Sequence, residues 1–173
     1  MAKPYFTTAR SGDWEHALRV VRWVKELGVD RTDLDLLITA AYIHDIGWSG
    51  VAPQGKINFE EMIKLEQKAN DNSSRLIKEV VTSLYYDNSQ IKKVERLVGA
   101  ADAHKSNRDD EEIIVDADSL SKLCIEHLQQ KYQPESFSKV VAIWESESIK
   151  RMKTKKGIKL FPKLLKKLKN QIK

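Results

Sequence analysis

The sequence predicts an all-α protein, a compact bundle of about seven or eight helices. Apolar residues recur at three- and four-residue spacing along most of the chain, and no segment alternates apolar and polar residues as a half-buried strand does. Gly28, Gly47 and Gly157 fall where one periodic segment gives way to the next.

The first helix is expected over residues 13–27, stopping before Gly28, a residue suited to a C-terminal cap. Trp14, Ala17, Leu18, Val21 and Val24 make one stripe, widened by Val20, Trp23 and Leu27, so neighbouring helices should surround it. A second helix spans about 32–46, with Leu34, Leu37, Ala41 and His44 on one face; Gly47 ends it and 48–55 reads as a loop. Asn58 is a candidate cap for a third helix, with Glu60 and Glu61 in its first turn, where the helix dipole favours acids. Another helix is expected over 71–86, carrying Leu76, Ile77, Val80, Val81 and Leu84. Ser89 is read as the cap of a helix reaching His104, with Ile91, Val94, Val98 and Ala101 inside. Residues 105–112 are polar and loop-like; Ile113-Ile114-Val115 then leads into Asp116-Ala117-Asp118 and a helix continuing to Tyr132. Pro134 suits the start of a helix that runs to about Met152, and an amphipathic helix over about 157–171 closes the chain. With neither repeat nor low-complexity linker, residues 1–173 are expected to form a single domain.

An apolar content of 41% supports a real core, and 32% charged residues fit a soluble globule. No run of about 18 apolar residues suggests a membrane span, and residues 1–6 lack the apolar core of a secretory signal. Cys124 is the only cysteine, so neither an internal disulfide nor a Cys-rich zinc site is possible. The expected location is cytoplasmic. The net charge of +5 conceals an asymmetry: residues 150–173 hold ten lysines, one arginine and no acid, leaving −6 on the preceding 149. Phe161, Leu164, Leu165, Leu168 and Ile172 form a helical stripe within that tail, which predicts docking on the core with the lysines in water. A nucleic-acid role is disfavoured because the tail lacks interleaved aromatics for base stacking.

Only four histidines occur, so the placement of each is informative. His44-Asp45 ends the apolar segment Ala40-Ala41-Tyr42-Ile43, where an imidazole and a carboxylate are costly unless paired. A divalent cation offsets that cost for both, since neutral imidazole and carboxylate are its natural ligands; a simple His–Asp hydrogen bond near a helix end is the alternative. His16 heads the lesser stripe His16, Val20, Trp23, Leu27 of the first helix, and Asp116 and Asp118 flank Ala117 at the mouth of a later one. Three separated helices could each present a ligand to one point, as helical bundles commonly do.

His16-Ala17-Leu18-Arg19-Val20, then Ala40-Ala41-Tyr42-Ile43-His44-Asp45-Ile46-Gly47, then Val94 to Val98, His104 and Asp116-Ala117-Asp118-Ser119-Leu120, together resemble the HD superfamily of metal-dependent phosphohydrolases, notably its small stand-alone bacterial members. The resemblance covers residues 13–157. It implies an HD-domain bundle that hydrolyses a phosphate ester or phosphoanhydride in a small molecule, a nucleotide being the favoured class. It also implies His16, His44, Asp45 and Asp118 as ligands of one divalent ion (Mn, Fe, Co, Ni, Zn or Mg). Asp118 is preferred to Asp116 because it fits the family's "ADxL"; Asp116 could instead cap the helix. His104 matches a position where relatives keep a histidine near substrate or a second metal, whereas His127 has no motif around it and reads as structural. As catalytic groups the reading gives Asp45 or Asp116 as acceptor of the water's proton, with His104 beside them. Arg19, Lys105 and Lys56 are candidates to neutralise phosphate, Arg19 the best placed.

Three other functions compete. Oxygenases of this fold need more histidines between the HD pair and the last aspartate than His104 alone, so oxygen chemistry is disfavoured and one metal is expected. A non-catalytic nucleotide sensor is the main alternative, and nucleic-acid binding by the tail the remaining one. Partners are therefore a small phosphorylated molecule and at most a second copy of the chain, a monomer or homodimer, with no membrane.

Overall fold

The computed structural model describes residues 2–53, 55–56 and 59–172, and its fold is all-α, with no strand among them. A 3-10 turn (Lys3–Thr8) leads into α1 (Asp13–Leu27), α2 (Leu34–Ile43), α3 (Phe59–Thr82), α4 (Asn88–Ala103), α5 (Asp109–Ser121) and α6 (Ile125–Lys131). α7 (Phe137–Ile143) passes through a π-helical turn (Trp144–Ser148) into α8 (Ile149–Arg151), and α9 (Lys155–Gln171) follows. No helix among the described residues is long and apolar enough to cross a membrane.

α5 is the axis of the molecule. Eleven of its thirteen residues are buried, the mark of a helix enclosed on all sides, and it packs against α1, α2, α4 and α9. α1 matches the expected bounds, but its inward face is rotated from the strongest apolar stripe. His16, Ala17, Val20, Val21 and Val24 are buried, while Leu18 is 37% exposed. The rotation brings His16 inside.

Several boundaries differ from expectation. α3 is one helix where two were expected: no glycine or proline interrupts residues 59–82, so the polar stretch around Asn70 and Asp71 continues the helix, and Ala69, Ser73 and Leu76 carry its buried face. Asn58, the expected cap, lies outside the described residues. α4 is capped by Asp87 rather than Ser89, in a capping box: the Asp87 carboxylate accepts from the Ser89 and Gln90 amides, and Gln90 Oε1 accepts from the Asp87 amide. α5 begins at Asp109, not after Glu112, because four acids fill its first turn, where unpaired amides favour negative charge. Asp116 is therefore well inside a helix and cannot cap it. The helix expected to run on to Tyr132 breaks at residues 122–124 before α6.

Buried residues form two clusters. One gathers α1, α2, the second half of α3, α4 and the start of α5; the other joins Leu120, Leu128, Tyr132, Val140 and Trp144 to α9. α9 docks through Phe161, Leu165 and Leu168 and keeps most of its lysines in water, as its stripe predicts. Its entry is held by Thr154, whose hydroxyl accepts from the Gly157 amide, and by the Asp116 carboxylate. Gly157 is required there, since a Cβ would lie 2.6–2.7 Å from Met152 Sδ, Asp116 Oδ2 and Thr154 Oγ1.

Candidate metal centre

Three segments converge on one point. α1 contributes His16 and α5 contributes Asp118. His44 and Asp45 stand in the turn that ends α2, just before a second 3-10 turn, Ile46–Trp48. That turn presses so closely on α3 that a Cβ on Gly47 would run into the Ala69 carbonyl and Ser73 Oγ. Close backbone approach, possible only for glycine, sets where the His-Asp pair sits.

The donor atoms crowd together. Asp118 Oδ1 is 3.0 Å from His16 Nε2, and the two Nε2 atoms of His16 and His44 are 3.1 Å apart. Asp118 Oδ1 is 3.7 Å from His44 Nε2, and Asp45 Oδ2 is 3.7 and 3.6 Å from the two imidazole nitrogens. Ligands held about 2.1 Å from one ion lie about 3.0 Å apart at right angles and about 3.4 Å apart in a tetrahedron, so these spacings suit a shared cation. His16, His44 and Asp118 alone form a buried group whose donor atoms lie within 4.8 Å of one another.

Proton placement makes the same point. His44 Nδ1 donates to the Ala41 carbonyl at 2.8 Å. Ser121 Oγ gives its single proton to the Asp118 carbonyl at 2.7 Å, so at 3.1 Å it accepts from His16 Nδ1. With each neutral ring protonated on Nδ1, two Nε2 lone pairs and a carboxylate oxygen face one another with no proton between them. Such a set repels itself until a cation stands among the donors, and hydrogen bonding at the far nitrogen is how proteins orient metal-binding histidines. The residues present fit a divalent metal.

Cations unrecognised in the sequence surround the acids. Asp45 Oδ2 forms an ion pair with Arg10 Nη2 at 2.7 Å and accepts from Lys131 Nζ at 3.1 Å. Both cations also pair with buried Asp13, and the Arg10 guanidinium lies over the Trp48 ring. Lys122 Nζ contacts Asp118 Oδ2 at 2.5 Å. Burial raises the carboxyl pKa values of Asp45 and Asp118, but Arg10 and Lys131 at the first, and Lys122 at the second, hold both well below the carboxylate range. Burial, with Lys131, keeps His16 neutral. Asp102 goes the other way: burial, with the charges of Asp45 and Asp118, pushes it up to about 8.

Of the remaining expected residues, His104 reaches the site: its Nδ1 is 3.8 Å from Asp118 Oδ2, and Lys122, with burial, pushes its pKa down to about 4. Its backbone is left-handed (φ 52°) at the end of α4. Asp116 does not reach the site, since positions two apart on a helix point about 200° apart. Instead its carboxylate accepts from the Lys153 and Thr154 amides and from Thr154 Oγ1. Arg19 lies behind the centre, donating to Gln130 Oε1 at 2.9 Å and to His127 Nδ1 at 3.2 Å. Lys105 and Lys56 are exposed and do not line the cavity. His127 does line it, edge-on to His16 with ring centres 4.7 Å apart. Only the i,i+4 spacing of Asp118 and Lys122 offered a local signal for any of the groups missed.

The centre opens into a cavity of about 350 Å³. Asp102, His104 and Lys122 stand near the metal-binding residues; Phe59, Met62, Tyr132 and Trp144 form an apolar wall. Neither a curated protein nor a solved structure matches the chain. A family model described as "HD domain" matches residues 13–123, well over half of the sequence and inclusive of His16, His44, Asp45 and Asp118. The chain belongs to the HD-domain family.

Proposed function

We propose that this protein is a metal-dependent phosphohydrolase that cleaves a phosphate ester or phosphoanhydride in a small molecule of nucleotide size. The observation that carries the reading is the convergence of two Nε2 lone pairs and the carboxylates of Asp45 and Asp118 at the floor of a cavity. These four residues would hold a divalent ion, which would supply Lewis acidity and a water acidified toward neutral pH. Asp45, whose carboxylate faces the same point, would be the acceptor of the proton that the attacking water gives up. Asp102, protonated near neutral pH, faces the same cavity and can give a proton to the departing oxygen. Lys131 and Arg10 keep Asp45 oriented, and His104 and Lys122 flank Asp118.

The test combines elemental analysis of the purified chain with phosphate release from a nucleotide panel in added Mn or Co. Asp45→Ala should abolish turnover while the helical circular dichroism persists. Turnover retained in that variant would refute the assignment; ligand binding without turnover in the wild type would favour a sensor.

A further inference from the structure

The cavity is charged for one phosphate. Its described lining holds four cations, Arg10, Lys122, Lys131 and Arg151, and five carboxylates, Asp45, Glu66, Asp102, Asp118 and Glu147. Three of the cations are engaged: Arg10 and Lys131 share Asp13 and Asp45, and Lys122 pairs with Asp118. Arg151 makes no hydrogen bond or ion pair with any described residue, and its guanidinium acts on Glu147, one turn back, only through space. It lies at the end of α8, one turn beyond the π-helical segment that brings Trp144, Glu147 and Ser148 to the cavity wall, and π-turns of this kind cluster at functional sites. Its charge reaches His104, beside the metal-binding residues.

Asp102 is protonated near neutral pH, so four cations meet four charged carboxylates, and a bound dication would bring the wall to +2. A monoester dianion matches this surplus, and the Arg151 guanidinium within it presents two parallel donors to phosphate oxygens. A triphosphate would bring about four negative charges into the same space with no further cation to receive them. At about 350 Å³ the cavity is at the small end of ligand sites, and Phe59, Met62, Ile63, Tyr132, Ile143 and Trp144 give part of its lining an apolar and aromatic character. We propose that the substrate is a phosphate monoester of a compact alcohol bearing a flat or apolar group, as in a nucleoside monophosphate, and that Arg151 holds its single phosphate and selects against di- and triphosphates. This rests on the phosphohydrolase reading above and narrows it.

The test uses the full chain loaded with Mn, the metal kept in excess of nucleotide. Phosphate release is compared for nucleoside mono-, di- and triphosphates, and binding of non-hydrolysable phosphonate analogues of the mono- and triphosphates is followed by calorimetry. The monophosphates should lead in kcat/KM by roughly tenfold or more, and Arg151→Ala should raise their KM and the analogue's Kd by about tenfold or more with little change in kcat. Arg151→Lys should recover part of the loss, and circular dichroism checks the fold of both variants. A preference for triphosphates, or unchanged affinity in Arg151→Ala, overturns the proposal and leaves the hydrolase reading intact. Absence of phosphate release from every substrate overturns both.

Discussion

Ser121 should control metal affinity without touching the metal. Its hydroxyl proton goes to the Asp118 carbonyl, so its lone pair is what holds the proton of His16 on Nδ1. In Ser121→Ala that N–H has no partner in a site where His16 is 1% exposed, a loss of about 1–3 kcal/mol if nothing rearranges. A rearrangement is available: the proton can move to Nε2 and be donated to Asp118 Oδ1, 3.0 Å away. That tautomer relieves the metal-free protein and blocks the nitrogen that faces the cation. The apoprotein should therefore lose little stability, while metal affinity falls about 10–100-fold, the usual range for the partner of a metal-binding histidine. At a metal concentration about 100 times the wild-type Kd, binding stabilises the wild type by about 2.7 kcal/mol. The variant would keep about 0.4–1.4 kcal/mol. For a chain of this size the metal-induced rise in Tm should shrink from about 5–11 °C to about 1–6 °C. Scanning calorimetry of apo and metal-loaded forms, with a metal titration, reads both quantities. Equal Tm losses with and without metal, or an unchanged Kd, would refute the tautomer argument.

Asp116→Ala should cost about 2–4 kcal/mol in urea unfolding, because it strips the partners from two amides and a hydroxyl at the start of α9; turnover per folded molecule should be unchanged, and a collapse of kcat at full folding would return Asp116 to the chemistry. His104→Gly should leave Tm unchanged or higher, since glycine removes about 1 kcal/mol of left-handed strain at φ 52°, while phosphate release falls about 10–100-fold through loss of the ring that flanks Asp118; a large drop in Tm contradicts the strain argument. Away from the site, Arg31's hydrogen bonds, joined by Lys93's and opposed by burial, hold Asp33 far below its ordinary pKa of 3.8. A depressed carboxylate stabilises the fold above its unfolded pKa and loses that contribution as pH falls through the folded value. Urea midpoints should therefore drop below about pH 4, and Asp33→Asn should be less stable at neutral pH with a shallower acid limb; parallel profiles would count against the assignment.

The legible parts of this molecule were those encoded locally. The 3.6-residue period gave the class and the limits of α1, and the apolar stripe of the last helix foretold its docking through Phe161, Leu165 and Leu168. Four acids in a row marked a helix start at Asp109 by their fit to the dipole, but polarity alone made the segment read as loop. That misplaced start also left Asp116 and Asp118 undecided: at a helix mouth either could face a ligand, whereas inside a helix they face opposite sides. Arg10, Lys131 and Arg151 carried no local signal, because a lone cation in a polar stretch is ordinary until the fold sets it against Asp45 or the cavity. His127 was read as structural for the same reason, its place beside His16 being set by how α6 packs.

The division between legible and illegible residues follows a division of labour along the chain. His16, His44, Asp45 and Asp118 lie within the matched segment 13–123, and on the proposed reading their spacing is constrained because two lone pairs and two carboxylates would have to meet one ion. His127, Lys131, Tyr132, Trp144, Glu147 and Arg151 come after it and line the same cavity. Lys131 and His127 are the exceptions that join the two, since Lys131 reaches back to Asp45 and Asp13 and His127 packs edge-on against His16. The other residues of that group can change without disturbing the donor set, so the segment after α5 is where an HD-domain protein can alter what it accepts while keeping its metal-binding residues. Exchanging Trp144 for a smaller residue should therefore shift KM among substrates of different alcohol size and leave metal affinity as it was. Loss of metal in that variant would mean that the two halves are not separable.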